Sequence, residues 1–171
     1  MTTCQTCGSE HSEWPSDIGF QRPDVVWKLE FADQNARVKA NNDVCILDDS
    51  RHFLRGVLYV PVHGTSQPWG IGIWVEVSKQ DFDRYCDLFN ADASKEPRFP
   101  GIVSNALRAF PEALSSMVEV QLGRAADRPS LFYDVSSETD LAQAQNAGLS
   151  DAELHRVFRI EKPDYFSGAG A

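Results

Sequence analysis

The sequence predicts an α+β fold: an antiparallel sheet, built as a meander plus a C-terminal hairpin, flanked by helices and carrying an N-terminal zinc knuckle. Three observations predict it. From Trp69 to Val77, Ile71, Ile73, Val75 and Val77 alternate with Gly70, Gly72, Trp74 and Glu76, the period of a strand with one aliphatic face. Ser78-Lys79-Gln80-Asp81 and Ser150-Asp151-Ala152-Glu153 each look like a helix cap followed by apolar residues at three- and four-residue spacing. Cys4-Gln5-Thr6-Cys7-Gly8, with His11 beyond it, has the form of a metal-binding knuckle.

Taken in order, the segment from Glu13 to Phe20 is mixed and broken by Pro15 and Gly19, and is expected to be a loop. Arg22-Pro23-Asp24 opens a short helix, with proline near its first turn and Val25, Val26 and Leu29 after it. Gln34 to Ala40 has helical propensity and is stopped by Asn41-Asn42. Val44-Cys45-Ile46-Leu47 reads as a strand ended by Asp48-Asp49-Ser50, and Phe53 to Val60 as a second strand closed by Pro61. With Trp69–Val77 these make the meander. Gly70 and Gly72 leave room on the other face for a neighbouring backbone or ring.

After Ser78, the recurrence of Phe82, Tyr85, Cys86 and Phe89 gives a helix packed on the sheet. A loop from Asn90 to Pro100 precedes a short helix expected over Ile102 to Phe110. Met117 to Leu122 alternates as a strand, and Leu131 to Val135 is its hairpin partner. Leu141 to Ala147 is helical up to Gly148, and Leu154, Val157 and Phe158 form the stripe of the last helix. One α+β domain is expected over residues 1–163, with the knuckle in 1–12 and a flexible tail over 164–171.

At 171 residues the chain is long enough to bury a core without disulfides. Sixteen Lys and Arg against twenty-five Asp and Glu give a net charge of -9, which repels phosphate backbones and anionic lipid. Nucleic acid and membranes are therefore poor partners. No apolar run has the length of a membrane span and no signal peptide is visible, so a cytoplasmic location is expected, where paired cysteines hold metal more readily than disulfides.

Zinc takes four thiolate or imidazole ligands in a tetrahedron. Cys4 and Cys7 can present two sulfurs to one ion, and Gly8 lets the backbone turn so that N–H groups face them. His11 lies within reach and Cys45 would supply a third thiol, tying the N-terminus to the first strand of the meander. Four protein ligands leave no position for water, so Cys4, Cys7, His11 and Cys45 are read as a structural zinc site. The competing readings are ordinary reduced cysteines and thiol redox chemistry, though no strand–helix unit follows the pair.

No catalytic constellation appears. His52, His63 and His155 are scattered, Cys86 is read as a packing residue, and Asp48 and Asp49 as turn acids facing solvent. Arg51 and Arg55 flank Phe53 and share its face; an anion clamp is one reading, ion pairs with the many acids the preferred one. Trp69, Trp74, Phe99 and Phe110 are read as core.

Several of these stretches recur together. Cys4-x-x-Cys7-Gly8-x-x-His11, Arg22-Pro23-Asp24, Asp43 to Asp48, Phe53-Leu54-Arg55-Gly56, Pro61-Val62, Trp69 to Val75 and Ser104-Asn105 occur in an order that resembles the bacterial family catalogued as domain of unknown function 2199. The resemblance runs from Cys4 to about Gly148 and implies a small bacterial cytoplasmic protein with a shared metal site and no established activity. The chain departs from it at Ser137-Glu138-Thr139-Asp140-Leu141-Ala142, which lacks the histidine of the family's Thr-Asp-His-Pro-Leu-Ala stretch. The function expected is recognition without catalysis: a zinc-binding protein that binds another protein, most concretely an immunity-type inhibitor of a cognate toxin with a basic surface. The alternative is a metal-dependent enzyme or regulator using the Cys/His site.

Overall fold

The structure, a computed structural model, describes residues 17–164 and the backbone of residues 2–3 and 10–11. Strands β1 (Thr2–Thr3) and β2 (Glu10–His11) pair antiparallel, Thr2 opposite His11. The sheet then comprises β3 (Asp17–Gly19), β4 (Val38–Ala40), β5 (Val44–Leu47), β6 (Arg51–Val60), β7 (Trp69–Val77), β8 (Phe99–Val103), β9 (Met117–Gln121) and β10 (Ser130–Phe132). Helices α1 (Asp24–Trp27) and α2 (Phe31–Arg37) follow β3, α3 (Lys79–Leu88) follows β7, and α4 (Asp140–Ala147) and α5 (Asp151–Glu161) close the described chain. The chain is mixed α+β, as the patterning predicts.

The meander does not stay open. β6, β7, β8, β9 and β10 pair in that order and β10 returns to β6, closing a five-stranded barrel. Strands that alternate in direction cannot close on an odd number without one parallel joint, and here that joint is β10–β6. Closure leaves these strands no free edge within the barrel. Ile71, Ile73 and Val75 line its interior with Leu54, Leu58, Val118, Val120 and Leu131, all fully or almost fully buried. Gly56 admits Leu131: a Cβ there would stand 2.7 Å from the leucine side chain.

Two strands are too long for the barrel, and both fork. β6 pairs with β7 from His52 to Val60, but its other edge is divided, Arg51–Leu54 bonding to β5 and Val57–Leu58 to β10. The free edge of β7 is likewise shared, Gly70–Gly72 with β3 and Val75–Glu76 with β8. The strands β3, β4 and β5 therefore form an apron outside the barrel. Beneath it lies a second small core of Val26, Cys45, Leu47, Phe53 and Trp74.

Four expectations are corrected. Residues Asp17–Gly19 are a strand rather than loop, because Gly19 and Gly72 let two backbones approach side by side. Val38–Ala40 leaves the helix to pair with β5. Ile102 and Val103 end a strand instead of starting a helix. Pro100 and Gly101 look like breakers, yet a Cβ on Gly101 would lie 3.0 Å from Val120, so the glycine is what allows β8 to pack. Finally, Cys86 is exposed: α3 rolls Phe82 and Tyr85 inward and turns the thiol to water. Both capped helices form. The Ser78 hydroxyl accepts from Asp81 N–H at 3.1 Å, and Ser150 with Glu153 completes a reciprocal capping box.

Candidate functional site

Cys4 and Cys7 lie outside the described residues, and His11 is described in its backbone alone. The pairing of β1 with β2 nevertheless brackets the segment 4–9 that carries the two cysteines. Cys45 is central in β5, opposite Phe53, and fully buried in the second core. Burial pushes its thiol up to about 11, while the charge of Arg22 pulls the other way. A divalent cation reverses that preference, because a coordinated thiol is deprotonated outright. Three thiolates and an imidazole suit zinc. How the four donors stand to one another lies outside the described residues, and no group of three or more metal-ligating side chains is found among them.

Trp74, which shares the second core with Cys45, is bonded to Asn105. This fully buried amide lies just past β8, where the fork in β7 leaves Trp74 without a strand partner for its N–H. Asn105 Oδ1 accepts from that N–H at 2.8 Å, standing in for the missing ladder bond. Its Nδ2 donates to Arg22 O and to Asp24 Oδ1, both at 2.9 Å. The second Asp24 oxygen accepts from Ala106 N–H at 2.7 Å, and Trp74 Nε1 donates to Phe20 O at 3.0 Å. Three stretches far apart in sequence, Arg22-Pro23-Asp24, Trp74 and Ser104-Asn105, are thus one unit.

Arg55 occupies the other fork. Its backbone N–H donates to Asp43 O, before β5, while Val57 N–H donates to Pro129 O, before β10. The two chains that part here are tied by Arg128 Nε to Asp43 Oδ1 at 2.8 Å. The Arg55 side chain is half-buried across the glycines: a Cβ on Gly19 would meet its Nη2 at 2.8 Å, and one on Gly72 its Nε at 3.8 Å. Nε is shut from solvent and has no hydrogen-bond partner. Burial, then the charge of Arg128, holds the guanidinium below its ordinary value; Arg22 acts the same way, and Asp43 and Asp17 oppose them.

The other candidates resolve into structure. Arg51 grips Glu76 through two bonds of 2.8 and 2.6 Å, the ion-pair reading. Asp48 and Asp49, both at φ 54, form the hairpin turn and bind Arg37 and Lys39. Trp69, Trp74, Phe99 and Phe110 are buried. His52 packs at a tilt against Phe82, His155 is buried, and His63 Nε2 lies 2.8 Å from Ala147 O. A groove of about 340 Å³ lies over β8 and β9 between Arg98, Met117 and Asp134. The patterning did not single out Trp27 and Phe31, which are 55% and 77% exposed at the end of α1 and the start of α2.

No helix among the described residues is long and apolar enough to cross a membrane. No curated protein and no solved structure matches the chain. The sequence model of one bacterial family matches residues 3–149, a span that includes all four candidate zinc ligands, Arg55 and Asn105, and the chain belongs to that family, described as an uncharacterized protein conserved in bacteria (DUF2199).

Proposed function

We propose that this chain is a non-enzymatic, zinc-binding recognition protein, most concretely an immunity-type inhibitor that covers a cognate bacterial toxin or enzyme. The observation that supports recognition is the pair Trp27 and Phe31, two large aromatic side chains exposed within five residues of one another. Tryptophan anchors are prominent among the residues that dominate protein interfaces. The charge of -9 suits a basic partner, which it would draw in by long-range attraction. Zinc on Cys4, Cys7, His11 and Cys45 serves structure in this reading, holding the N-terminus against the second core.

The test is co-expression with the product of the adjacent gene. The full chain is expected to hold that product through purification and to restore growth if it is toxic. Trp27→Ala with Phe31→Ala is expected to weaken binding about thirtyfold, roughly 2 kcal/mol, with an unchanged melting temperature. An unaltered affinity in the double variant, or no neighbour held and no growth restored, contradicts the reading.

A further inference from the structure

The groove over β8 and β9 opens where β10 leaves the barrel wall. Phe132 opposite Glu119 is the last pair of β10 on β9, and the next N–H, that of Tyr133, donates to Gln145 Oε1 at 2.8 Å instead. A volume of about 340 Å³ is left beside the start of β9. Met117, 65% exposed, and the exposed ring of Pro100 give it apolar walls, because alternation along the strands turns their neighbours Val118 and Phe99 inward. An aliphatic chain gains by burial against such walls; a bare ion does not.

Three lining side chains set the charge. Arg98 is committed: Nη1 donates to Glu119 Oε2 at 3.0 Å, Nε donates to Gln121 Oε1 at 3.2 Å, and the guanidinium lies 4.3 Å from the centre of the Phe132 ring. Arg98 and Glu119 cancel, which leaves Asp134. This carboxylate is in none of the ion pairs among the described residues. Its Oδ1 accepts from both the N–H and the hydroxyl of Ser136, while Oδ2 accepts from no described residue. One anionic oxygen therefore stands free in the wall of an apolar groove.

We propose that this groove binds a lysine side chain, with its methylenes along Met117 and Pro100 and its ammonium on Asp134. A single excess negative charge calls for a monocation. One free oxygen favours the compact ammonium over a guanidinium, whose planar fork is satisfied by two oxygens. The inference rests on the recognition reading for the source of the lysine, a basic protein partner, and gives that partner a contact other than Trp27 and Phe31, neither of which lines the groove.

Nuclear magnetic resonance of the full chain, isotopically labelled at its methionine methyl groups, tests it, since Met117 is one of only two methionines. N-acetyl-lysine methylamide, its arginine analogue and its neutral norleucine analogue are titrated separately, each against sodium chloride at matched ionic strength. The lysine probe is expected to shift the Met117 methyl saturably, with a dissociation constant on the order of 10 mM. The norleucine probe should bind about fivefold more weakly, the difference that one exposed ion pair makes. Asp134→Asn, which keeps the acceptor for Ser136, should bring the lysine probe down to the norleucine value. Asp92 is the control: Ser94 holds its Oδ1 in the same way, it does not line the groove, and Asp92→Asn should change nothing. Lysine binding no tighter than norleucine, or undiminished by Asp134→Asn, overturns the site. Arginine binding as tight as lysine overturns the choice of side chain. Trp27→Ala with Phe31→Ala should leave the lysine result unchanged, so a failed aromatic surface and a failed groove are told apart.

Discussion

Asn105 shows how much a single buried amide can organise. It satisfies the Trp74 N–H, the Arg22 carbonyl and one Asp24 oxygen, partners up to 83 positions away in the chain. Asn105→Ala would strand all three in a dry site, and we expect a loss of about 2–4 kcal/mol in urea unfolding, against under 1 kcal/mol for a surface asparagine such as Asn146. Gly56→Ala addresses the barrel interior, where the new methyl would meet Leu131 at 2.7 Å. Overpacking there is expected to cost about 1–3 kcal/mol by the same measurement. At this scale the sequence displayed its cysteines plainly, because metal-ligand spacing is local. It hid Asn105 and Arg55, whose roles depend on which strands end beside them. The Arg51 and Arg55 pair looked equivalent; only the fork separates the matched arginine from the unmatched one.

At the scale of elements, β6 and β7 carry the fold, bonded to each other over nine residue pairs on one side and to two different strands on the other. Their amides should open only with global unfolding, while those of β3 and β4, three residues each at the apron, open locally. Hydrogen exchange is therefore expected to be at least about a hundredfold slower at Leu54, Leu58 and Ile73 than at Ile18 and Lys39. Similar rates throughout would mean that the apron and barrel unfold together. The long strands and the capped helices were legible because period two and the Ser-x-x-Asp or Ser-x-x-Glu pattern are written within a few residues. Barrel closure was not: the parallel joint of β10 to β6 joins segments more than seventy positions apart, and no local pattern encodes it. The strand β8 was masked by Pro100 and Gly101, residues that punctuate most chains but here permit close packing against Val120.

For the whole molecule, pH sets hydrogen-bonded carboxylates against net charge. Asp48, Asp92, Asp134 and Glu153 are all held below their ordinary values, Asp48 by the hydrogen bond from Arg37 and the others by serine hydroxyls and backbone N–H groups. A carboxylate depressed in the folded state adds stability above its unfolded value, and that stability is lost as pH falls through the folded one. The melting temperature should hold from pH 7 to about 5 and then fall below the ordinary 3.8 of aspartate and 4.5 of glutamate. Glu153→Gln should flatten the fall. Acidification also relieves the self-repulsion of a chain at -9, so a melting temperature that rises on the way to pH 4 would show that repulsion outweighs these bonds.

The metal clasp is the central claim, since it would join the N-terminus to the second core and convert ion binding into folding stability. Elemental analysis of the purified full chain, with X-ray absorption at the zinc edge, tests it directly. One zinc per chain, bound by three sulfurs and one nitrogen, with Cys7→Ser lowering both metal content and melting temperature, is the result expected. A chain without zinc, or a zinc whose shell includes water and fewer than four protein ligands, contradicts it.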